Sequence, residues 1–299
     1  MLIVNRIYSA PTYYSLFLTC HTHGWINLAP YSWDNLKDSL EFALLFKGQA
    51  VDVSVQQHKR SIRVSLASEK AIRSKDVVEL DTVLARILDL GQETTELMTV
   101  ALQMSKPYHL LIKKGAGRLL RGASLWEDAA KTLFTTNCSW ALTQKMCERA
   151  CSANYSILSP KGRYPFPSPS SLANERVEIL RKNIPIGYRA DYLRSLACVF
   201  SEGLYLENIE ITKHTYEEAY QRISKLKGFG PYARTHLMVL MGYYERIPID
   251  SEVTSFIRKR YKCGDVERFV NKKYSPWGKY KWWGLKFEKM LLRQNWLGD

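Results

Sequence analysis

The chain has 299 residues, 46% hydrophobic and 24% charged, enough to bury a substantial core and unlike a disordered chain. Lys and Arg number 43 against 29 Asp and Glu, a formal charge of +14 that favours polyanions as partners: nucleic acid, an anionic membrane surface or an acidic protein. No apolar run is long enough to span a bilayer and no basic-then-apolar leader opens the chain, so an intracellular protein without a membrane partner is expected. Cys20, Cys138, Cys147, Cys151, Cys198 and Cys263 are scattered, with no Cys-x-x-Cys pair. Cys147 and Cys151 share a helix face, but two ligands do not complete a zinc site. Buried free thiols, no metal and no cofactor are expected.

In chain order, the first elements read as an antiparallel sheet. Val51–Val55 and Ser61–Leu66 alternate apolar and polar residues around a polar turn, which predicts a hairpin. Tyr14–Cys20 and Glu41–Phe46 are further strand candidates. From Asp81 the spacing turns helical, through Val83, Leu84, Ile87, Leu88 and Leu90, then Leu97, Val100, Ala101 and Met104. Helices are predicted over Ser124–Thr136, Trp140–Ser152, Ser170–Lys182, Arg189–Glu202, Tyr216–Leu226, Pro231–Tyr244, Ser251–Tyr261 and Tyr280–Arg293. The segment Ser159–Pro169, rich in Pro, Ser and Gly, reads as a loop. The expected class is α+β: an antiparallel β domain over 1–80 and a mostly helical domain over 81–299.

The most informative stretch runs from Tyr216 to Arg260. Gly228 and Gly230 permit a tight turn between two helices, and Pro231 suits a first helical turn, where its missing N–H costs nothing. Amides exposed at such a helix start suit a phosphate. Alone, the glycines would merely close a helix-turn-helix. Asp250, one helix and one loop later, can cap the helix that follows it. The combination is more specific than either part.

Gly228-Phe-Gly230 together with Pro248-Ile-Asp250 resembles the signature of the helix-hairpin-helix DNA glycosylases. Upstream, Trp126-Glu-Asp128, Thr135-Thr-Asn137, Phe166-Pro-Ser168 and Ile186-Gly-Tyr-Arg-Ala190 are similar, in the same order, to segments of the 8-oxoguanine branch. Downstream, Pro276-Trp277 with Tyr280 is similar to the closing helix of the alkylbase branch. The resemblance covers the chain from about Gly115 onward. It implies a two-lobed helical domain with the hairpin at 216–244 and a catalytic loop at 245–253.

The chemistry implied by the resemblance is base-excision repair: a flipped damaged base is released by cleavage of its N-glycosidic bond, with Asp250 as the catalytic carboxylate. Lys227, Gly228, Phe229 and Gly230 would meet the DNA backbone. Tyr232 and His236 would face the base pocket, and Asn137 would fill the gap left by the flipped base. Apart from the resemblance, Tyr274-Ser-Pro-Trp-Gly-Lys-Tyr-Lys-Trp-Trp283 interleaves aromatics with lysines, so Trp277 and one of Trp282 or Trp283 are expected in the core and another aromatic near the pocket. Packing competes for Tyr232, and ordinary capping for Asn137. Bifunctional members carry a Schiff-base lysine at the position of Tyr232, and members with an iron-sulfur cluster carry four closely spaced C-terminal cysteines, absent here.

A monofunctional enzyme acting on alkylated purines is therefore expected, with an 8-oxoguanine-type glycosylase/lyase and a noncatalytic hairpin module as alternatives. Its partner would be double-stranded DNA containing a damaged base, met by a monomer in the cytoplasm or nucleoid, or in the nucleus of a eukaryote. Arg258-Lys-Arg260, Lys262, Lys272 and Lys273 could follow the DNA backbone, although a charge run is often only a solvated face.

Overall fold

The computed structural model describes residues 1–152, 155–203 and 214–292. Its elements, in chain order, are β1 (Leu2–Ser9), α1 (Leu16–His21), β2 (Ser32–Asp34), β3 (Ser39–Phe46), β4 (Gln49–His58), β5 (Ser61–Ser68), α2 (Val77–Ile87), α3 (Thr95–Met104), α4 (Lys106–Lys113), α5 (Leu125–Phe134), α6 (Trp140–Ser152), α7 (Pro169–Ala173), α8 (Val177–Asn183), α9 (Arg189–Ser201), α10 (Tyr216–Ser224), α11 (Pro231–Leu240), α12 (Ser251–Tyr261), α13 (Val266–Lys273) and α14 (Lys281–Leu292). The class is α+β, as the sequence predicts. The predicted end of the last helix, Arg293, lies outside the described residues.

The strands form one antiparallel sheet in the order β1-β5-β4-β3-β2. Its central ladder is the predicted hairpin, with Val53 opposite Leu66 and Val55 opposite Val64. The β3-β4 connection is Lys47-Gly48, both at positive φ (48° and 74°), the twist that suits a tight hairpin. Strand β3 is buried along almost its whole length. Both of its faces are therefore covered, which accounts for its weak alternation.

Two expectations are corrected. Tyr14–Cys20 is not a strand, for Leu16–His21 is a helix. Ser15 Oγ accepts from the Leu18 amide, Gln57 Oε1 accepts from the Leu16 amide at 2.6 Å, and Phe17 and His21 stack one turn apart at 4.1 Å. A short apolar run carries too few turns for its period to distinguish helix from strand. Nor is Ser170–Lys182 one helix. Ser168 caps α7 through the Ser171 amide, the helix stops at Asn174, and α8 starts anew after Arg176.

The chain divides into two compact units that cut across the sheet-to-helix boundary. The first comprises residues 1–92 and 118–203, and its core surrounds α5. There Asp128, fully buried, accepts from Trp25 Nε1 (3.0 Å), the Gly122 amide (2.7 Å) and Arg86 (2.8 Å). One turn along, buried Lys131 pairs with Glu127 at 2.6 Å and lies 4.3 Å from the centre of the Tyr31 ring. Removing one partner of such a pair would leave a buried charge, a cost of about 3–5 kcal/mol.

The second unit joins residues 93–117 to 214–292. Its core is aromatic: Trp277 packs against Phe287 and over Gly284, and Trp283 lies 5.3 Å from Phe287. Around buried Glu288, the hydroxyls of Tyr261 and Tyr274 donate to its carboxylate, and Lys273 stands 3.3 Å away. This satisfies a carboxylate that would otherwise be costly to bury. No described helix is long and apolar enough to cross a membrane.

Candidate active site

The hairpin is built from its ends inward. Thr215 and Glu218 form a reciprocal capping box that starts α10. The chain then turns at Gly228, whose φ of +84° is open to glycine at little cost. Phe229 anchors the corner: its side chain is buried, its amide donates to Leu226 O, and its carbonyl accepts from Arg234 Nε at 2.7 Å. Gly230 behaves differently. Its backbone is ordinary (φ −71°, ψ −178°) and a Cβ placed there would meet nothing within 4 Å.

Helix α11 has Gly230 at its cap position, no side-chain cap and Pro231 in its first turn. A helix start without a side-chain acceptor leaves amide donors and a positive dipole end for an anion. Lys227 and Gly230 are exposed on this corner. Farther along α11, Leu237 to Leu240 are buried, so the helix is fixed by its far end.

After α11 the chain turns at Gly242 and Tyr243, and buried Ile247 and Pro248 deliver Asp250 to the start of α12. Asp250 Oδ1 accepts from the Val253 amide at 2.7 Å. The residue is part-exposed and, among the described residues, no cation forms an ion pair with it. One carboxylate oxygen is thus pinned by a cap, and the other remains available as an acceptor.

Tyr232 and His236 sit one turn apart on α11, both part-exposed, with Tyr232 Oη 3.3 Å from His236 Nδ1. Trp282 and Trp283 are buried: Trp282 stacks on Tyr244 at 5.9 Å, and Trp283 meets the edge of Tyr244 at 5.6 Å. The Trp282 amide donates to Tyr244 O at 3.0 Å, tying α14 to the exit of the hairpin. Lys289 of α14 pairs with Glu252 of α12 at 2.6 Å. Hairpin, Asp250 and the tryptophan helix are therefore coupled within one unit. Of the basic run, Arg260 and Lys273 face Glu288, whereas Arg258, Lys259, Lys262 and Lys272 are exposed.

Asn137 belongs to the first unit. It is exposed, at a φ of +45°, just past the end of α5. Arg189, itself buried, fixes this conformation by donating to Thr136 Oγ1 (3.1 Å), the Thr136 carbonyl and the Asn137 carbonyl (3.2 Å). Tyr188, 54% exposed, carries its hydroxyl 3.4 Å from Asn137 Nδ2, and the Arg189 guanidinium lies 4.7 Å from the centre of its ring. The sequence singles out neither Tyr188 nor Arg189, although both lie in the Ile186–Ala190 segment. An exposed tyrosine beside a left-handed asparagine becomes visible only once both are folded together.

The sequence matches no family model and no curated protein. Solved structures are similar over nearly the whole chain. A 3-methyladenine DNA glycosylase from Archaeoglobus fulgidus superposes with a TM-score of 0.73 at 18% identity, over 97% of this chain and 99% of that one. The chain has the fold of the helix-hairpin-helix DNA glycosylases. The 8-oxoguanine glycosylase/lyase of Clostridium acetobutylicum, with dsDNA containing cytosine opposite 8-oxoG, gives 0.70 at 17% identity over 98% and 99%. MBOgg1, solved with a low-affinity DNA ligand, gives 0.71 at 17% over 97% and 96%. Members of both branches thus superpose almost equally well, and the fold does not choose a lesion.

Proposed function

We propose that the protein is a monofunctional DNA N-glycosylase that removes an alkylated purine from duplex DNA. The observation that carries this reading is Asp250: a part-exposed carboxylate held by a helix cap, with one oxygen uncommitted, placed one helix beyond an uncapped Gly-Phe-Gly corner. A phosphate would dock on the α11 amides with Lys227 beside it, and the target nucleotide would leave the stack at a cost of a few kcal/mol.

As the bond between C1′ and the base nitrogen lengthens, positive charge grows on the sugar and Asp250 stabilises it. Water adds to C1′ and releases its proton to the surrounding solvent. The base departs with the bonding electrons, and strand scission is not part of the reaction. Tyr232, where a lysine would form a Schiff base, supplies instead an electron-rich ring, and a cationic alkylated purine is attracted to such a surface. Exposed Asn137 and Tyr188 would occupy the space vacated in the stack. Every one of these residues belongs to a single chain, so a monomer acting where the DNA is suffices.

Two other readings predict different products. A lyase using Lys225 or Lys227 would nick the strand, and a noncatalytic hairpin would release nothing. The deciding experiment incubates the protein with duplexes carrying single lesions, 3-methyladenine, 7-methylguanine and 8-oxoguanine among them, and identifies the released base by mass spectrometry. Release of methylated purines with intact strands supports the proposal. Binding without release from any duplex overturns it.

A further inference from the structure

The two edges of the sheet are treated differently. The β2 edge is short, covering only Ser32–Asp34, ends on a charged residue and is followed by Lys37 and Asp38. Such features keep an edge from recruiting another strand. The β1 edge is longer, and its one charged residue is Arg6. It runs for eight residues, contains no proline, and exposes Leu2 (46%), Ile3 (59%), Val4 (37%) and Ile7 (71%). Its charge is already spent: Arg6 pairs with Asp81 at 2.5 Å, and Tyr8 donates to the same carboxylate.

The geometry points to antiparallel pairing of β1 with β1 of a second copy of this chain, about a two-fold axis at Asn5. An axis perpendicular to a sheet keeps each face on its own side, so only residues of like parity can stand opposite one another. Centring at Asn5 sets Ile3 against Ile7 of the other copy, twice. It also sets Leu2 against Tyr8, and Val4 against the stem of Arg6. Centring at Arg6 would oppose two arginines, and centring at Val4 would leave Ile3 facing Asn5.

The flanking strand agrees with this register. On the face of the isoleucines, the β5 partners of Ile3 and Ile7 are Ala67 and Arg63. Across the seam the row reads Arg63, Ile7, Ile3, Ala67, and no like charges meet. The outward N–H and C=O groups of each edge would be satisfied, and the apolar cross-strand pairs would add to the association. The buried area is that of one strand pair, which places the dimer among weak, concentration-dependent associations.

Sedimentation equilibrium of the full chain over a concentration series tests the pairing. A monomer-dimer equilibrium is expected for the wild type, whereas the double variant I3K/I7K should remain monomeric at concentrations about tenfold above the wild-type midpoint. Both positions are exposed, and circular dichroism checks that the variant is folded. Independently, N5C should form an intermolecular disulfide on mild oxidation well above the background set by the native thiols. A wild type that stays monomeric throughout, a dimer that I3K/I7K leaves intact, or an N5C variant that crosslinks no faster than wild type would each overturn the proposal.

Discussion

The Asp250 carboxylate caps the helix it introduces, accepting from the Val253 amide at 2.7 Å. Capping and catalysis therefore make separable demands on one side chain. Asparagine caps a helix about as well as aspartate but carries no charge. Asp250→Asn should fold normally, bind a lesion duplex normally and lose at least about a hundredfold in single-turnover base release, the equivalent of ~3 kcal/mol. Asp250→Ala should add a loss of about 1 kcal/mol in unfolding free energy. If the carboxylate served only as a cap, the asparagine variant would turn over like wild type.

Tyr232 cannot form an imine, so reduction with borohydride during turnover should trap no protein-DNA complex, and products should remain unnicked until treated with alkali. Denaturing gels read both outcomes. A trapped band, lost in Lys225→Ala or Lys227→Ala, would show that a hairpin lysine attacks C1′ and would replace hydrolysis with lyase chemistry.

An element is legible in the sequence to the degree that it advertises its buried face. The β4-β5 hairpin alternates clearly, and the observed bounds of α6 and α12 coincide with changes in the sequence pattern. Strand β1 is not legible for the opposite reason, since a strand whose side chains are mostly exposed has no inward face to show a period of two. Helix α13 offers only Val266 and Val270 as buried residues, too few for a stripe. In the candidate site, Asp250 and the hairpin could be read because their elements are contiguous. The support that Arg189 gives to Asn137 joins residues 52 positions apart and depends on backbone geometry that the sequence does not display.

Gly284 lies under Trp277, and a Cβ built there would fall 2.6 Å from the indole ring. Because Trp277 also packs against Tyr108 and Phe287, it has little room to move. Gly284→Ala should cost about 1–3 kcal/mol in stability, read from the denaturant midpoint. Gly264→Ala is the control, since a Cβ there meets nothing within 4 Å. Equal midpoints for the two variants would mean that the tryptophan cluster can expand.

The six free cysteines should fall into two classes. Cys20, Cys147 and Cys151 are buried, and burial pushes the Cys147 thiol up to about 12 and the other two well above their ordinary value. The thiolate is the reactive form, so these three should resist alkylation in the native protein at about pH 8, while Cys138, Cys198 and Cys263 react first. Peptide mapping after timed iodoacetamide treatment checks the order. Early labelling of Cys147 or Cys151 would place that helix face in contact with solvent.

The two hairpin glycines separate folding from binding. Gly228 needs its positive φ, so Gly228→Ala should lower stability by about 1–2 kcal/mol and weaken DNA binding as a consequence. Gly230 has no such need: its φ is −71° and space around it is open. Among the described residues only the cap position favours glycine there, and modestly, whereas a phosphate approaching the α11 amides would meet a new methyl group. Gly230→Ala should therefore cost no more than about 1 kcal/mol in stability, the difference between glycine and alanine at a helix cap, and weaken binding to any duplex, damaged or not, by about tenfold or more, the worth of one charge-assisted hydrogen bond. Because the contact is to the backbone, the ratio of lesion to undamaged affinity should not change. Unaltered affinity in this variant would remove the hairpin from the DNA interface, whatever the role of Asp250.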